Sequence, residues 1–283
     1  MGKKFKGLKI TGYVAFDVMT PVEIGAQPDK GGAQFYGASA KHFGILQEYN
    51  DIDVSFDIFG KGFRYPYAEI PTSGTIKKVE VRLNGELALV VDKLNLNALD
   101  AVREWQKQDP FTSFADLLKG NDTIYGSPFD DPSLWGGKGN DRLFGRDGYD
   151  ILDGWKGNDL NDGGAGNDLL KDTKGDNVFQ FSTPFQEGSA NLGFNYDTIT
   201  KLKPADRVYF SYDYFSAAGM KVEKGELAFS NEAQDGDDFF LFFAGVFSYD
   251  PDANGPIEAT PIFNTLNDAK LTHKMIAIGV LDY

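Results

Sequence analysis

Six aspartates, Asp122, Asp131, Asp141, Asp150, Asp159 and Asp168, then Asn177, recur along the middle of this 283-residue chain. The step between them is nine residues, except for ten between Asp131 and Asp141. Most close a glycine-led triplet: Gly120-Asn121-Asp122, Gly139-Asn140-Asp141, Gly148-Tyr149-Asp150, Gly157-Asn158-Asp159, Gly166-Asn167-Asp168 and Gly175-Asp176-Asn177. Ionised carboxylates supply only acceptor oxygens. The chain has no cysteine and two histidines, so a soft metal held by thiolates or imidazoles is excluded. A hard cation bound by oxygen remains. Ca²⁺ takes roughly six to eight oxygens at about 2.3–2.6 Å, from carboxylates and main-chain carbonyls alike. Aspartates alternating with glycine turns offer that mixture.

Two positions after most of these acids stands an apolar residue: Ile124, Leu143, Leu152, Leu170 and Phe179. The pattern is G-G-x-G-x-D-x-U-x. Three residues form a short strand whose middle side chain points to a thin core, and six turn the chain through angles open to glycine. Two such units make one coil of eighteen residues, which sets each loop beside the loop two further on. The expected acid pairs are Asp122 with Asp141, Asp131 with Asp150, Asp141 with Asp159, Asp150 with Asp168, and Asp159 with Asn177. The candidate ligands are Gly120, Asp122, Asp131, Gly137, Gly139, Asp141, Gly148, Asp150, Gly157, Asp159, Gly164, Gly166, Asp168, Gly175 and Asn177. They imply about four or five Ca²⁺ ions, the last site being weaker because Asn177 is neutral. The ten-residue step places one inserted residue near Pro132–Trp135, and Asn161 takes an inward position where leucine is expected. One apolar residue in nine does not offset backbone ordering of about 1–2 kcal/mol per residue. Folding of this block is therefore expected to be coupled to metal binding.

Ordinary β-like composition flanks the block. Asp51 to Ile58 alternates strictly, the mark of a strand with one buried face. Val79, Val81 and Leu83, the turn Asn84-Gly85, then Leu87, Leu89 and Val91 read as a hairpin. Asn97 caps a helix near residues 97–108, and a second short helix fits Ser113 to Lys119. The expected fold is all-β: a β-rich N-terminal domain (1–115), a calcium-loaded parallel β-roll (116–182) and a β-rich C-terminal cap (183–283).

The block resembles the repeats of hemolysin-type RTX proteins exported by type I secretion. Asn195 to Thr200 followed by Asp206 to Ser211 is similar to the segment closing the roll in serralysin-like C-terminal domains, and Tyr249 to Gly255 with Thr265-Leu266 is similar to the end of many exported RTX substrates. The resemblance implies a secreted protein, extracellular or at the cell surface, whose uncleaved C-terminus serves the type I secretion apparatus. It also implies a calcium switch, unfolded in the cytosol and folded outside. Asp250, Asp252, Asn254 and Gly255 mimic the start of an EF-hand loop, but its twelfth position is Pro261, so a turn is the expected role.

A formal charge of -14 argues against nucleic acid and anionic membrane surfaces. The basic N-terminus has no long apolar run, and no stretch is long enough for stable membrane insertion as a helix. H-E-x-x-H, G-x-S-x-G and phosphate-loop motifs are absent, and His42 and His273 lie far apart, so no catalytic residue is assigned. The aromatics Phe35, Tyr36, Phe43, Tyr49, Phe63, Tyr65 and Tyr67 read as sandwich core or as a sugar-binding surface, with Phe63 to Tyr67 the segment expected to be exposed. The resulting reading is a non-enzymatic protein binding an extracellular glycan or surface, with a small polysaccharide-active enzyme as the alternative.

Overall fold

The computed structural model of the chain describes residues 9–12, 34–49, 52–66, 71–105, 118, 120–171, 174–182, 195–211, 240–243, 245–249, 260–267 and 271–279. The first part is an antiparallel sheet. Its strands are β1 (Lys9–Gly12), β2 (Gln34–Tyr36), β3 (His42–Tyr49), β4 (Ile52–Arg64), β5 (Ser73–Leu83) and β6 (Glu86–Asp92), in the order β2-β3-β4-β5-β6-β1. Along β4 the apolar residues Val54, Phe56 and Ile58 are buried while Asp53 is exposed, so the alternation read from the sequence is real. Asn84 and Gly85 both have positive φ, +49° and +86°, and join β5 to β6 as a tight hairpin. After β7 (Leu96–Asn97), the Asn97 side chain accepts the N–H of Asp100 at 3.1 Å and opens α1 (Ala98–Trp105). Residues 106–108 of the expected helix lie outside the described residues. Of the expected second helix only Leu118 is described. It is not helical, because its carbonyl instead accepts the N–H of Lys138 at 3.1 Å.

Phe63 corrects the expectation of an exposed segment. It is 3% exposed and meets Phe43 edge-on, with ring centroids 5.0 Å apart. A large ring on a sheet's inner face stabilises by removing its surface from water, and that outweighs any use it has outside. Arg64 and Pro66 are exposed and Tyr65 is half-buried, donating to the Ser39 carbonyl at 2.9 Å; Tyr67 lies outside the described residues.

From Thr123 onward the chain coils. β8 (Thr123–Tyr125), β10 (Arg142–Asp147), β12 (Leu160–Ala165) and β14 (Val178–Phe181) pair in parallel on one side. On the other side β9 (Leu134–Trp135), β11 (Ile151–Asp153) and β13 (Leu169–Lys171) do the same. The register is the expected one: Leu160 pairs with Arg142 behind it and Val178 ahead of it. Ile124, Leu143, Asn161 and Phe179 form one inner column, and Leu134, Leu152 and Leu170 the facing one. All seven are fully buried. The ten-residue step is absorbed before β9, so Leu134 stands three residues after Asp131 and still fills the inner slot. Asn161 does occupy that slot.

Coiling continues past residue 182. β15 (Asp197–Ile199) pairs with β13, and β16 (Arg207–Ser211) pairs with β14. β17 (Phe240–Phe243) and β18 (Val246–Tyr249) form a hairpin that pairs with β19 (Thr260–Thr265). β19 and β20 (Ile276–Gly279) then extend the two columns with Thr265 and Ile276. Phe181, Phe210, Phe247 and Phe263 stack with centroids 5.1–5.6 Å apart and close this end of the core. At the other end β1 pairs antiparallel with β6 and parallel with β8, splicing the N-terminal sheet onto the coil. The Tyr249–Gly255 turn lies, apart from Tyr249 itself, outside the described residues.

Leu152 is wholly buried between Leu134 and Leu170, whereas Leu266 is 66% exposed. Leu152→Ala should cost about 2–5 kcal/mol in urea unfolding with calcium present. Leu266→Ala should change stability by no more than about 0.5 kcal/mol.

Candidate metal centre

The coil puts the acids of the repeat in two ladders, one on each edge. From Asp141 and Asp150 onward, each ladder residue's Oδ1 accepts the main-chain N–H of the acid one coil earlier, whereas both oxygens of Asp131, at the start of its ladder, accept from Ser127. On the first edge Asp122, Asp141 and Asp159 donate to Asp141, Asp159 and Asn177 at 2.8, 2.8 and 3.0 Å. On the second, Asp131 and Asp150 donate to Asp150 and Asp168 at 2.8 and 2.9 Å. All five expected pairs are therefore brought together. Every one of these side chains is buried, at no more than 1% exposure.

Two further residues, outside the candidate ligands read from the sequence, join the ladders. Asp168 donates to Asp197 Oδ1 at 3.0 Å, and Asn177 donates to Asp206 Oδ1 at 2.9 Å, each across 29 residues instead of eighteen. An insertion of eleven (29 minus 18) thus leaves the register intact. The sequence does carry a signal for them, since Asp197 and Asp206 are themselves nine apart and stand two before Ile199 and Val208.

A second lacing runs the opposite way. Asn140 and Asn158 donate their N–H to the side-chain oxygens of Asn121 and Asn140, and Asp176 donates to Asn158, all at 3.0 Å. The asparagines before Asp122, Asp141 and Asp159 are thereby explained: each amide oxygen satisfies a turn N–H of the next coil. Along this edge lies a shallow groove of about 460 Å³, lined by these asparagines with Asp122, Asp141 and Asp159.

The glycines are set by contact. A β-carbon on Gly139 or Gly157 would collide with the carbonyl oxygen of Gly120 or Gly139, the same turn one coil back. Both also have φ near +145°, which side chains avoid. Gly126 and Gly136, absent from the candidates read from the sequence, abut the Oδ2 of Asp131 and Asp141, where a β-carbon would lie 2.6 and 2.8 Å away. Gly145 and Gly163 stand likewise against Asp150 and Asp168. At the position of Gly137 and Gly164, two repeats carry Arg146 and Trp155 and keep φ at +88° and +67°. A left-handed non-glycine residue costs about 1–2 kcal/mol. The Trp155 N–H, held by Asp153 Oδ1 at 3.0 Å, offsets part of that.

The outer carboxylate oxygens are the unusual feature. Oδ2 of Asp150 and of Asp168 is buried with no hydrogen-bond partner among the described residues, and so is Nδ2 of Asn177. Burying an unpaired ionised oxygen is costly. Burial, then the charges of neighbouring aspartates, pushes Asp150 up to about 8. Burial likewise pushes Asp168 up to about 7, with Asp162 and Asp130 adding to it. Asp197 is raised well above the ordinary carboxylate range by burial, then by Asp168. Asp162, buried behind the ladder and bonded by Gln180 and Ser182, is raised to about 6 by burial. Among the described residues no three His, Cys, Asp or Glu side chains converge as a metal-binding group. A cation here must draw on turn carbonyls as well, and buried lone pairs beside a glycine cradle fit an oxygen-seeking ion.

The model of a family described as the RTX calcium-binding nonapeptide repeat (4 copies) matches residues 118–131, 135–170 and 162–180. This chain carries RTX calcium-binding repeats. Calcium is the cation such repeats bind. No curated protein matches the chain. Among the described residues no helix is long and apolar enough to cross a membrane.

Away from the RTX block, the N-terminal sheet brings together residues that are scattered in sequence. Asp57 Oδ1 accepts the Tyr36 hydroxyl and lies against His42 Nε2, both at 2.9 Å, with Arg82 Nε 3.6 Å from Oδ2.

The sign of the pH dependence follows from the raised carboxyls. In the metal-free fold they favour the protonated form, so their contribution is complete below about pH 4 and is lost as pH rises through 7 to 8. In chelator, the folded fraction of the coil should fall between pH 5 and pH 8.5. With calcium, which needs the ionised form, it should rise over the same interval. Paired calorimetric scans test both slopes. Gly157→Ala should abolish cooperative melting of the coil even in calcium, read by the same scans.

Proposed function

We propose that this chain is a secreted protein whose repeat block folds as a calcium-loaded β-roll only once calcium is met outside the cell. The observation that carries this is the series of carboxylates buried coil upon coil, with Oδ2 of Asp150 and of Asp168 left without a hydrogen-bond partner among the described residues. Without a cation the stack repels itself; with one, the same oxygens become ligands. The residues that would hold calcium are Asp122, Asp131, Asp141, Asp150, Asp159 and Asp168 with the carbonyls of their glycine turns, and Asp197 extends the set. Asn177 offers a neutral oxygen and an amide that cannot ligate, so its step binds more weakly. Bound calcium supplies charge neutralisation and a cross-link between successive coils. The regions 1–115 and 183–283 then act as a β-rich N-terminal domain and a C-terminal cap. Export by a type I apparatus suits a chain that stays unfolded at low calcium.

The same protein is read as a non-enzymatic binder of an extracellular glycan or surface. Phe129 and Tyr149 support this: they are 57% and 47% exposed on adjacent turns, where a sugar ring can stack. The Tyr36–His42–Asp57 cluster favours the second reading, a polysaccharide-active enzyme with Asp57 or His42 moving a proton.

Calcium titrated into chelator-treated protein should produce a sharp gain of far-UV β signal, with the midpoint moved to higher calcium in Asp150→Ala. A spectrum that is complete in chelator and does not move would overturn the switch. Calcium-loaded protein screened against polysaccharides should bind without shortening them; chain cleavage would favour the enzyme.

A further inference from the structure

The two ladders end differently. On the second edge the last step joins two carboxylates, Asp168 and Asp197, as earlier steps do. On the first edge the last step joins Asn177 to Asp206, and there a lysine enters. Lys203 and Asp206 are the ends of the turn Lys203-Pro204-Ala205-Asp206. The Asp206 N–H donates to the Lys203 carbonyl at 3.0 Å, and the Lys203 N–H donates to Asp206 Oδ2 at 2.8 Å. The lysine side chain reaches back across the step. Its ammonium donates to the Gly175 carbonyl at 2.7 Å and lies 3.4 Å from Asp206 Oδ1.

Those two partners are not arbitrary. Gly175 precedes Asn177 by two, as Gly120 precedes Asp122 and Gly139 precedes Asp141. Gly175 and Asp206 are therefore the counterparts of Gly120 with Asp141 and of Gly139 with Asp159: a turn carbonyl and the ladder acid of the next coil. We propose that the Lys203 ammonium is a tethered cation standing where earlier steps take a metal, so that the Asn177–Asp206 step is closed without calcium. This rests on the calcium reading of the ladder. An ammonium has three donors and no acceptor, so a carbonyl and a carboxylate satisfy it as ligands satisfy an ion. Because it is covalently attached, it is present at every calcium concentration. The step it closes therefore joins the last coil of the matched repeats to the segment that follows, independently of metal.

Calcium ions retained by the full chain at saturation, counted by native mass spectrometry, test this. Asp206→Asn should retain as many ions as the unsubstituted chain, and Lys203→Met one more, while Asp150→Ala retains fewer. Loss of an ion in Asp206→Asn, or no gain in a Lys203→Met protein that folds by circular dichroism, would overturn the role of Lys203 and leave the calcium reading intact. An unsubstituted chain that retains no calcium would remove both.

Discussion

The middle of this protein depends on carboxylates buried in rows, coil upon coil. Asp141, Asp150, Asp159 and Asp168 each commit one oxygen to a main-chain N–H of the neighbouring coil, which fixes coil on coil. The other oxygen is held inside with nothing to meet it at Asp150 and Asp168. In a low-dielectric setting like charges at this spacing repel strongly, and desolvation penalises each one separately. A fold that stacks such groups is conditional on a counter-charge. Protons meet it at low pH; in the proposed reading calcium does so at physiological pH and Lys203 at the last step of one edge.

The thin core explains why the condition matters. Among the described residues of the repeat block, the core is two facing columns of single side chains, one interrupted by Asn161. Each coil of eighteen residues thus has about two inward apolar groups against the ordering of the whole turn. The turns contribute through close approach: glycines let the carbonyls of one coil press on the next, and the asparagine ladder returns a bond in the opposite direction. Geometry that brings carbonyls and carboxylates into one row is the same geometry that makes the row intolerable when it is unneutralised.

A parallel coil has two open ends, and strands from outside the repeats extend the coil at each. β1, far from the repeats in sequence, inserts between β6 and β8 and turns an exposed edge into the middle of a sheet. The other end receives β15, β16, β19 and β20, sealed by the stack of four phenylalanines. The repeat strands are thus continuous with the N-terminal sheet through β8 and with later strands in both sheets.

The sequence alone determined the coil. A step of nine repeats a local instruction, and from it follow the eighteen-residue turn, the pairing of Asp122 with Asp141 and of Asp150 with Asp168, and the inward columns from Ile124 to Phe179. The hairpin at Asn84-Gly85 and the cap at Asn97 were legible for the same reason, since each is written within a few residues. The tertiary structure alone decided what depends on distant partners. Asp197 and Asp206 join the ladders across an insertion that hides their period. Gly126 and Gly145 are required because the carbonyls of Gly145 and Gly163, one coil on, press against them. Phe63 is buried because Phe43 lies on the neighbouring strand's inner face, and Lys203 finds Gly175 only when the coil closes. Periodicity encodes contacts between equivalent positions; it is silent about contacts made where the repeat stops.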